Sequence, residues 1–274
     1  MKKLILITND DGVFSPGLWA AAEAVMDLGE LLIVAPMNQQ TSMGRSFPKS
    51  DKMGIIERVK IRLRNEEYEA FGVHGSPAYA VAHGVLELAG RKPDLCISGI
   101  NYGENLGLSI TCSGTLGAAF EANSHGIPAI AVSRQVDLSL QHESNYANMD
   151  WEASKQITLE SASKVLSRGL PEGVSILNIN VPDGATEKRI TRQSSLNYSV
   201  FIKPEERDFQ KRCLLKSRLD VEIEKTEKNS DIYAFFFDKV ISITPLTWDF
   251  SVNVDWDLNE LDSNRKKTEG CQYL

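Results

Sequence analysis

The sequence predicts an α/β fold: a Rossmann-like three-layer sandwich with a mostly parallel sheet and a C-terminal β-rich extension for oligomerisation. Three observations lead there. The first 36 residues run apolar strand, helical segment, apolar strand, the β-α-β unit from which parallel sheets are built. That alternation repeats regularly to about residue 133. After about residue 183 periodicity weakens and charge-rich stretches take over. The expected division is therefore a core over residues 1–182 and an extension over 183–274, with a strand or helix returning to the core.

Residues 3–8 form a short continuous apolar run, as a strand buried on both faces requires. From Pro16 to Leu28 the spacing turns helical, with Leu18, Ala21, Ala22 and Val25 on one side and Pro16 suited to the first turn. "LLIVAP" (31–36) is the second buried strand. "IIERVKIRL" (55–63) and "YEAFG" (68–72) alternate more and predict a less buried hairpin. "SPAYAVAHGVLELAG" (76–90) reads as a helix ending at Gly90. A strand at 93–100, a helix at 113–126 and a strand at 127–133 follow. Residues 134–150 are polar and read as a loop, 151–170 as an amphipathic helix, and 174–182 as a strand. Beyond that, 231–248 reads as β-structure, with Phe235, Phe236 and Phe237 in a core or interface strand, and 204–228 as solvated surface.

Charge excludes one function class. The chain carries 30 Lys+Arg against 37 Asp+Glu, a net charge of −7. General nucleic-acid binding needs a basic face, so no nucleic-acid duplex is expected as partner. Small anionic ligands remain admissible if a cation or backbone amides receive them. The cysteines at 96, 112, 213 and 271 lack metal-ligand spacing, and the apolar run at the N-terminus is too short for a signal core or a membrane span. A cytoplasmic protein with reduced thiols and no membrane association is expected.

Four segments place unusual polar residues at the carboxyl ends of predicted strands, where open α/β sheets bind ligands. They are Asn9–Gly12, Asn38–Ser46, Ser98–Asn101 and Ser113–Thr115, and they are expected to converge. Asp10 and Asp11 are the unusual pair. One Asp suffices to cap a helix, and a second ionised neighbour adds repulsion. The other three segments offer neutral oxygens rather than bases. A divalent cation answers both points, and an all-oxygen donor set favours Mg²⁺, Mn²⁺ or Ca²⁺ over Zn²⁺. Ser113, Gly114 and Thr115 open a helix, where free amides and the helix dipole suit a phosphate. The histidines at 74, 83, 125 and 142 show no ligand spacing; His74, before another strand-to-helix turn, is the weak candidate among them.

In order, "ILITNDDGVFSPGL", "VAP…TSMGRS", "GSPAYAV", "PDLCISGINYGENLG", "SGTLGAAFEA" and "IPAIAVS" resemble the survival protein E (SurE) family, as do "LNINVP", "TRQ" and "VISITPLTWD" further on. The resemblance implies a metal-dependent nucleotidase that hydrolyses nucleoside monophosphates, with 3'-nucleotides and polyphosphate as further substrates to test. It puts one divalent cation per subunit (Mg or Mn, with Ca as the third choice) on Asp10, Asp11, Thr41 and Asn101. Phosphate would meet Asn9, Gly44, Ser113, Gly114 and Thr115, and the catalytic residues would be Asp10, Asp11 and Asn101. A homodimer or homotetramer is implied, held by the C-terminal third.

The chain departs from the family in places. Thr41 stands where Ser is usual, Ser76 and Tyr79 where Thr and Asp are frequent, and Cys112 where His or Tyr is common. "FIKPEERDFQKRCLLK" (201–216) replaces an aromatic, glycine-containing stretch. These departures keep a second reading in view, a non-catalytic nucleotide or metal sensor on the same fold. A haloacid-dehalogenase-like phosphatase fits less well: it needs Asp-x-Asp, and the carboxylates here are adjacent.

Overall fold

A computed structural model of the chain describes residues 2–137, 146, 149–206, 208–211, 213 and 215–252. The strands are β1 (Lys3–Thr8), β2 (Gly29–Pro36), β3 (Ile56–Leu63), β4 (Glu66–Val73), β5 (Leu95–Tyr102), β6 (Ala129–Arg134), β7 (Ile176–Val181), β8 (Lys188–Ile190), β9 (Ser199–Phe201), β10 (Ser217–Leu219) and β11 (Ile241–Leu246). The helices are α1 (Pro16–Val25), α2 (Pro77–His83), α3 (Gly114–Ser124), α4 (Glu152–Arg168) and α5 (Asp231–Phe236). Nine strands form one sheet in the order β3-β4-β2-β1-β5-β6-β7-β11-β8. From β4 to β7 every neighbouring pair is parallel. Within this sheet antiparallel pairing is confined to β3–β4 and β7–β11, so it is mostly parallel, as expected; β9 and β10 form a separate antiparallel pair.

The apolar runs explain the layering. Ile5 and Ile7 of β1 face α1 and α4, while Leu4 and Leu6 face the side covered by α2 and α3. A strand apolar at every position is buried on both faces, which forces helices onto both sides. The β3–β4 hairpin turns at Arg64 and Asn65, whose φ angles of +43° and +73° suit a two-residue turn that follows the strand twist. Strand order reverses at β1: the chain goes from β1 outward to β2, and later returns to β5 on the other side of β1. The crevice beyond the β1 and β5 carboxyl ends is the topological switch point, where ligands of open α/β sheets bind.

Two expectations need correction. The stretch 231–248 is not all β-structure. Residues 231–236 form α5, capped by the Ser230 hydroxyl, which accepts from the Tyr233 N–H at 3.2 Å. Phe235 is core, as expected, but on a helix. The predicted helix over 76–90 is also interrupted: α2 passes at Gly84 into a wider π-helical turn through Leu88. Part of the predicted 134–150 loop, and His142 and Cys271, lie outside the described residues. Cys96, Cys112 and Cys213 are free thiols. Among the described residues no helix is long and apolar enough to cross a membrane.

Candidate active site

The turn after β1 is built by Asn9. Its side-chain oxygen accepts the Gly12 N–H, and its amide donates to the Gly12 carbonyl, both at 3.1 Å. Gly12 has φ +110°, a conformation that L side chains rarely adopt. This tight turn aims Asp10 and Asp11 into the crevice, where both are almost wholly buried. Oδ1 of Asp10 accepts the Thr115 hydroxyl at 2.7 Å, and Oδ2 of Asp11 accepts the Tyr102 N–H at 3.2 Å. Burial pushes the Asp10 carboxyl up to about 6, against the pull of the Thr115 hydrogen bond. Burial, then the Asp10 charge, pushes Asp11 well above the usual carboxylate range.

Neither shift has a cationic side chain among its causes. Buried ionised carboxylates demand a partner, and a lone pair of them takes up protons or binds a cation. Among the described residues no three His, Cys, Asp or Glu side chains cluster as ligands. A cation here would complete its shell with neutral oxygens and water, the donor set of a hard divalent ion.

Asn101 lies at the end of β5, beside Tyr102 and hence beside Asp11. Its amide nitrogen donates to the Gly103 carbonyl at 2.7 Å, which leaves its oxygen as the hard donor. The loop after β2 reaches the same place: the Gln40 N–H donates to the Asp10 carbonyl at 2.7 Å, and Thr41 follows directly. Gln39 hydrogen-bonds the Asp11 side chain. Further along, the Gly44 N–H donates to the Cys112 carbonyl at 2.9 Å, against the start of α3. All four polar segments thus meet at the switch point.

Individual residues differ from expectation. Asn9 is fully buried with its amide closed on Gly12, so it shapes the turn rather than facing a phosphate. Thr115 gives its hydroxyl to Asp10, and its backbone N–H supports the same carboxylate, so it orients the acid rather than an anion. Ser113 caps α3, its oxygen accepting the Leu116 N–H at 3.1 Å; its own proton remains to donate. Gly114 is pressed so close that a Cβ there would stand 2.7 Å from Asp10 Oδ2. The weak candidate His74 contacts Glu57 at 2.6 Å on the hairpin.

Two further groups support the site. One is a buried polar network. The Asn105 amide donates to Ser133 Oγ at 2.9 Å and, more distantly, to Thr115 at 3.4 Å. Asn178 and Asn180 donate to the Asn105 carbonyl, and Asn180 Oδ1 accepts the Asn105 N–H. Two asparagines alternating inside the apolar strand "LNINV" were the available signal. The other is Tyr146, whose hydroxyl donates to the Asp11 carbonyl at 2.6 Å while its ring lies 5.1 Å from Tyr102. Nothing local in the sequence marks it.

The geometry agrees with what the chain resembles. A 5'-nucleotidase SurE of Methanothermobacter thermautotrophicus is 47% identical over 203 residues, 73% of this chain and 76% of that protein. One from Methanothrix thermoacetophila is 38% identical over 259 residues, 92% and 95% of the two chains. The crystal structure of a SurE protein from Aquifex aeolicus superposes with a TM-score of 0.69 at 29% identity, covering 97% of this chain and 99% of that one. With the survival protein SurE family model also matching residues 5–200, the chain belongs to the SurE family.

Proposed function

We propose that the chain is a divalent-metal-dependent phosphomonoesterase that hydrolyses nucleoside 5'-monophosphates to nucleoside and phosphate. The observation that carries this is the buried Asp10–Asp11 pair at the switch point, with no cationic side chain offsetting either carboxylate. The relatives named 5'-nucleotidase support the reaction class and the nucleotide substrate.

Asp10, Asp11, Thr41 and Asn101 would hold Mg²⁺ or Mn²⁺. When bound, the cation would supply Lewis-acid polarisation of a phosphoryl oxygen and neutralise developing charge. The chain's own groups do the rest. Thr115 fixes Asp10 through its hydroxyl, which donates to Oδ1. Tyr102 fixes Asp11 through its N–H. One of the two carboxylates accepts a proton from the attacking water, which approaches phosphorus in line as the ester P–O bond breaks; the proton then passes to the departing nucleoside oxygen, which leaves as a hydroxyl. The Ser113 hydroxyl and the α3 N-terminus stabilise charge on the equatorial oxygens, with Gly44 alongside. The assembly we propose is a homodimer or homotetramer in the cytoplasm. The exposed Ile190, Phe201 and Phe209 of the C-terminal third supply apolar contact. Sedimentation at micromolar protein checks it, and a sharp monomer boundary counts against it.

The test is phosphate release from a panel of 5'- and 3'-nucleotides with Mn²⁺, before and after EDTA. Asp10→Asn and Asp11→Asn are expected to lose at least 10³-fold in kcat, roughly the scale of removing a key electrostatic or proton-transfer group. Their circular dichroism is expected to stay native. Full turnover by Asp10→Asn in EDTA would rule the mechanism out; nucleotide binding without release would make the chain a sensor.

A further inference from the structure

Beside the acidic pair, along the outer face of α3, runs a cleft of about 370 Å³ lined by Arg45, Ser113, Gly117, Phe120, Trp248 and Phe250 among others. Such a volume lies within the range of small-ligand pockets. Ser113, Gly117 and Phe120 are spaced at i, i+4 and i+7, so the cleft starts at the α3 N-terminus and extends about 10 Å along one helix face. Its inner end is Ser113, whose neighbour Gly114 abuts Asp10.

The walls are aromatic and held in place. The Trp248 indole N–H donates to Asn123 Oδ1 at 2.5 Å, and its ring packs on Phe120 with centroids 4.6 Å apart. Trp248 nonetheless keeps 39% of its surface exposed, and it lines the cleft together with Phe120 and Phe250. Arg45 is anchored through Nε to Glu121 at 2.7 Å. Its guanidinium carbon sits 5.5 Å from the Trp248 ring centroid and 5.9 Å from that of Phe47. With Nε engaged, the two terminal nitrogens remain as a parallel pair of donors. Gly117 makes this possible: a Cβ there would stand 2.1 Å from the Gly44 carbonyl oxygen, so only glycine lets the loop bring Arg45 to the helix.

A stacking surface with a paired donor at its rim is the chemistry that recognises a purine. The ring face stacks on an aromatic, and O6 and N7 accept a bidentate arginine. We propose that this cleft holds the base of the nucleotide whose phosphate lies at the α3 N-terminus, and that Trp248 and Arg45 give the enzyme a preference for 6-oxopurines. This rests on the nucleotidase reading above and adds to it the part of the substrate that selects.

The experiment compares kcat/KM for GMP, AMP and ribose 5-phosphate with Mn²⁺ in wild type, Trp248→Ala, Trp248→Phe and Phe250→Ser. Phe250 is mostly exposed, so that variant carries little folding risk. In wild type GMP is expected to exceed AMP, whose 6-amino group cannot accept from the arginine; equal values overturn the 6-oxopurine preference. Trp248→Ala is expected to lower the GMP to ribose 5-phosphate ratio about tenfold, mostly through KM, the size of one lost base–aromatic stack. Trp248→Phe is expected to restore most of it, and Phe250→Ser to lower it to a lesser degree. An unchanged ratio in Trp248→Ala and Phe250→Ser overturns the proposal. So does an equal loss on both substrates with a changed sedimentation coefficient, which assigns the face to a second copy of the chain. Wild type releasing phosphate from none of the three would sink the nucleotidase reading itself, a result distinct from either.

Discussion

Asp10 and Asp11 tie stability to pH in an unusual direction. Most native carboxylates are held below their unfolded pKa and stabilise as pH rises. Here burial raises Asp10 to about 6, above its unfolded value near 3.8, and raises Asp11 well above the usual carboxylate range as well. Between those values the metal-free native state binds more protons than the unfolded chain, so stability falls as pH rises through that window. The difference in thermal midpoint between Asp10→Asn and wild type, both metal-free, is expected to grow from pH 5 to pH 7.5. Mn²⁺ is expected to raise the wild-type midpoint more at pH 7.5 than at pH 5, because cation and proton compete for the same oxygens. Calorimetry at the two pH values checks both; a wild-type advantage that rises with pH without metal would contradict the assignment. Thr41 admits a cleaner test of its proposed role. Thr41→Ser keeps the hydroxyl and is expected to bind Mn²⁺ like wild type. Thr41→Val keeps the shape, loses the oxygen, and is expected to weaken Mn²⁺ about tenfold or more by isothermal titration.

Among the elements, α3 organises the site: it fixes Asp10 through Thr115, meets the 38–46 loop at Gly44 and forms one wall of the cleft. Gly117 is the tightest point of that arrangement, and the neighbour it would strike is backbone, which cannot swing aside. Gly117→Ala is therefore expected to cost about 1–3 kcal/mol, the usual scale of overpacking. It is expected to displace the 38–46 loop and lower kcat/KM by more than the stability loss explains; a native thermal midpoint with full activity would refute this. How far the sequence could show such things depended on range. Buried parallel strands and the Asp-Asp turn are local patterns, written in consecutive residues, and were legible. Asn178 and Asn180 left a local trace as polar residues in an apolar strand, but their partner Asn105 is 73 and 75 residues away. "DIYAFFF" looked like a strand because aromatic residues favour strands; the Ser230 cap and the packing of Ile232 and Phe235 around Leu106 decided for a helix. That Thr115 bonds Asp10 depends on how close α3 comes to β1, which no spacing rule gives.

Across the whole molecule, the C-terminal third is more than an attachment to the core. β11 inserts between β7 and β8 in the main sheet, and Tyr198 donates its hydroxyl to the Glu104 carbonyl at 3.0 Å, in the loop after β5. The strongest tie is Asp231, fully buried at the start of α5. Its Oδ2 accepts the Gly107 N–H at 2.8 Å, and its Oδ1 accepts the N–H groups of Ser194 at 2.9 Å and Ile232 at 2.8 Å. One carboxylate thus joins the site loop to two segments of the C-terminal third. Burial raises the Asp231 carboxyl above the usual carboxylate range, and the donors around it oppose that shift. In Asp231→Asn the amide oxygen can serve Ser194 and Ile232, but the NH₂ then faces the Gly107 N–H, leaving a buried donor without an acceptor. That is expected to cost about 1–3 kcal/mol and to loosen the loop carrying Asn105. The expected readout is a lower thermal midpoint with kcat/KM reduced about tenfold and an unchanged sedimentation coefficient. Should Asp231→Asn lose stability but keep full activity, the C-terminal third would support the fold alone, and the site would owe its geometry to β1, β5 and α3.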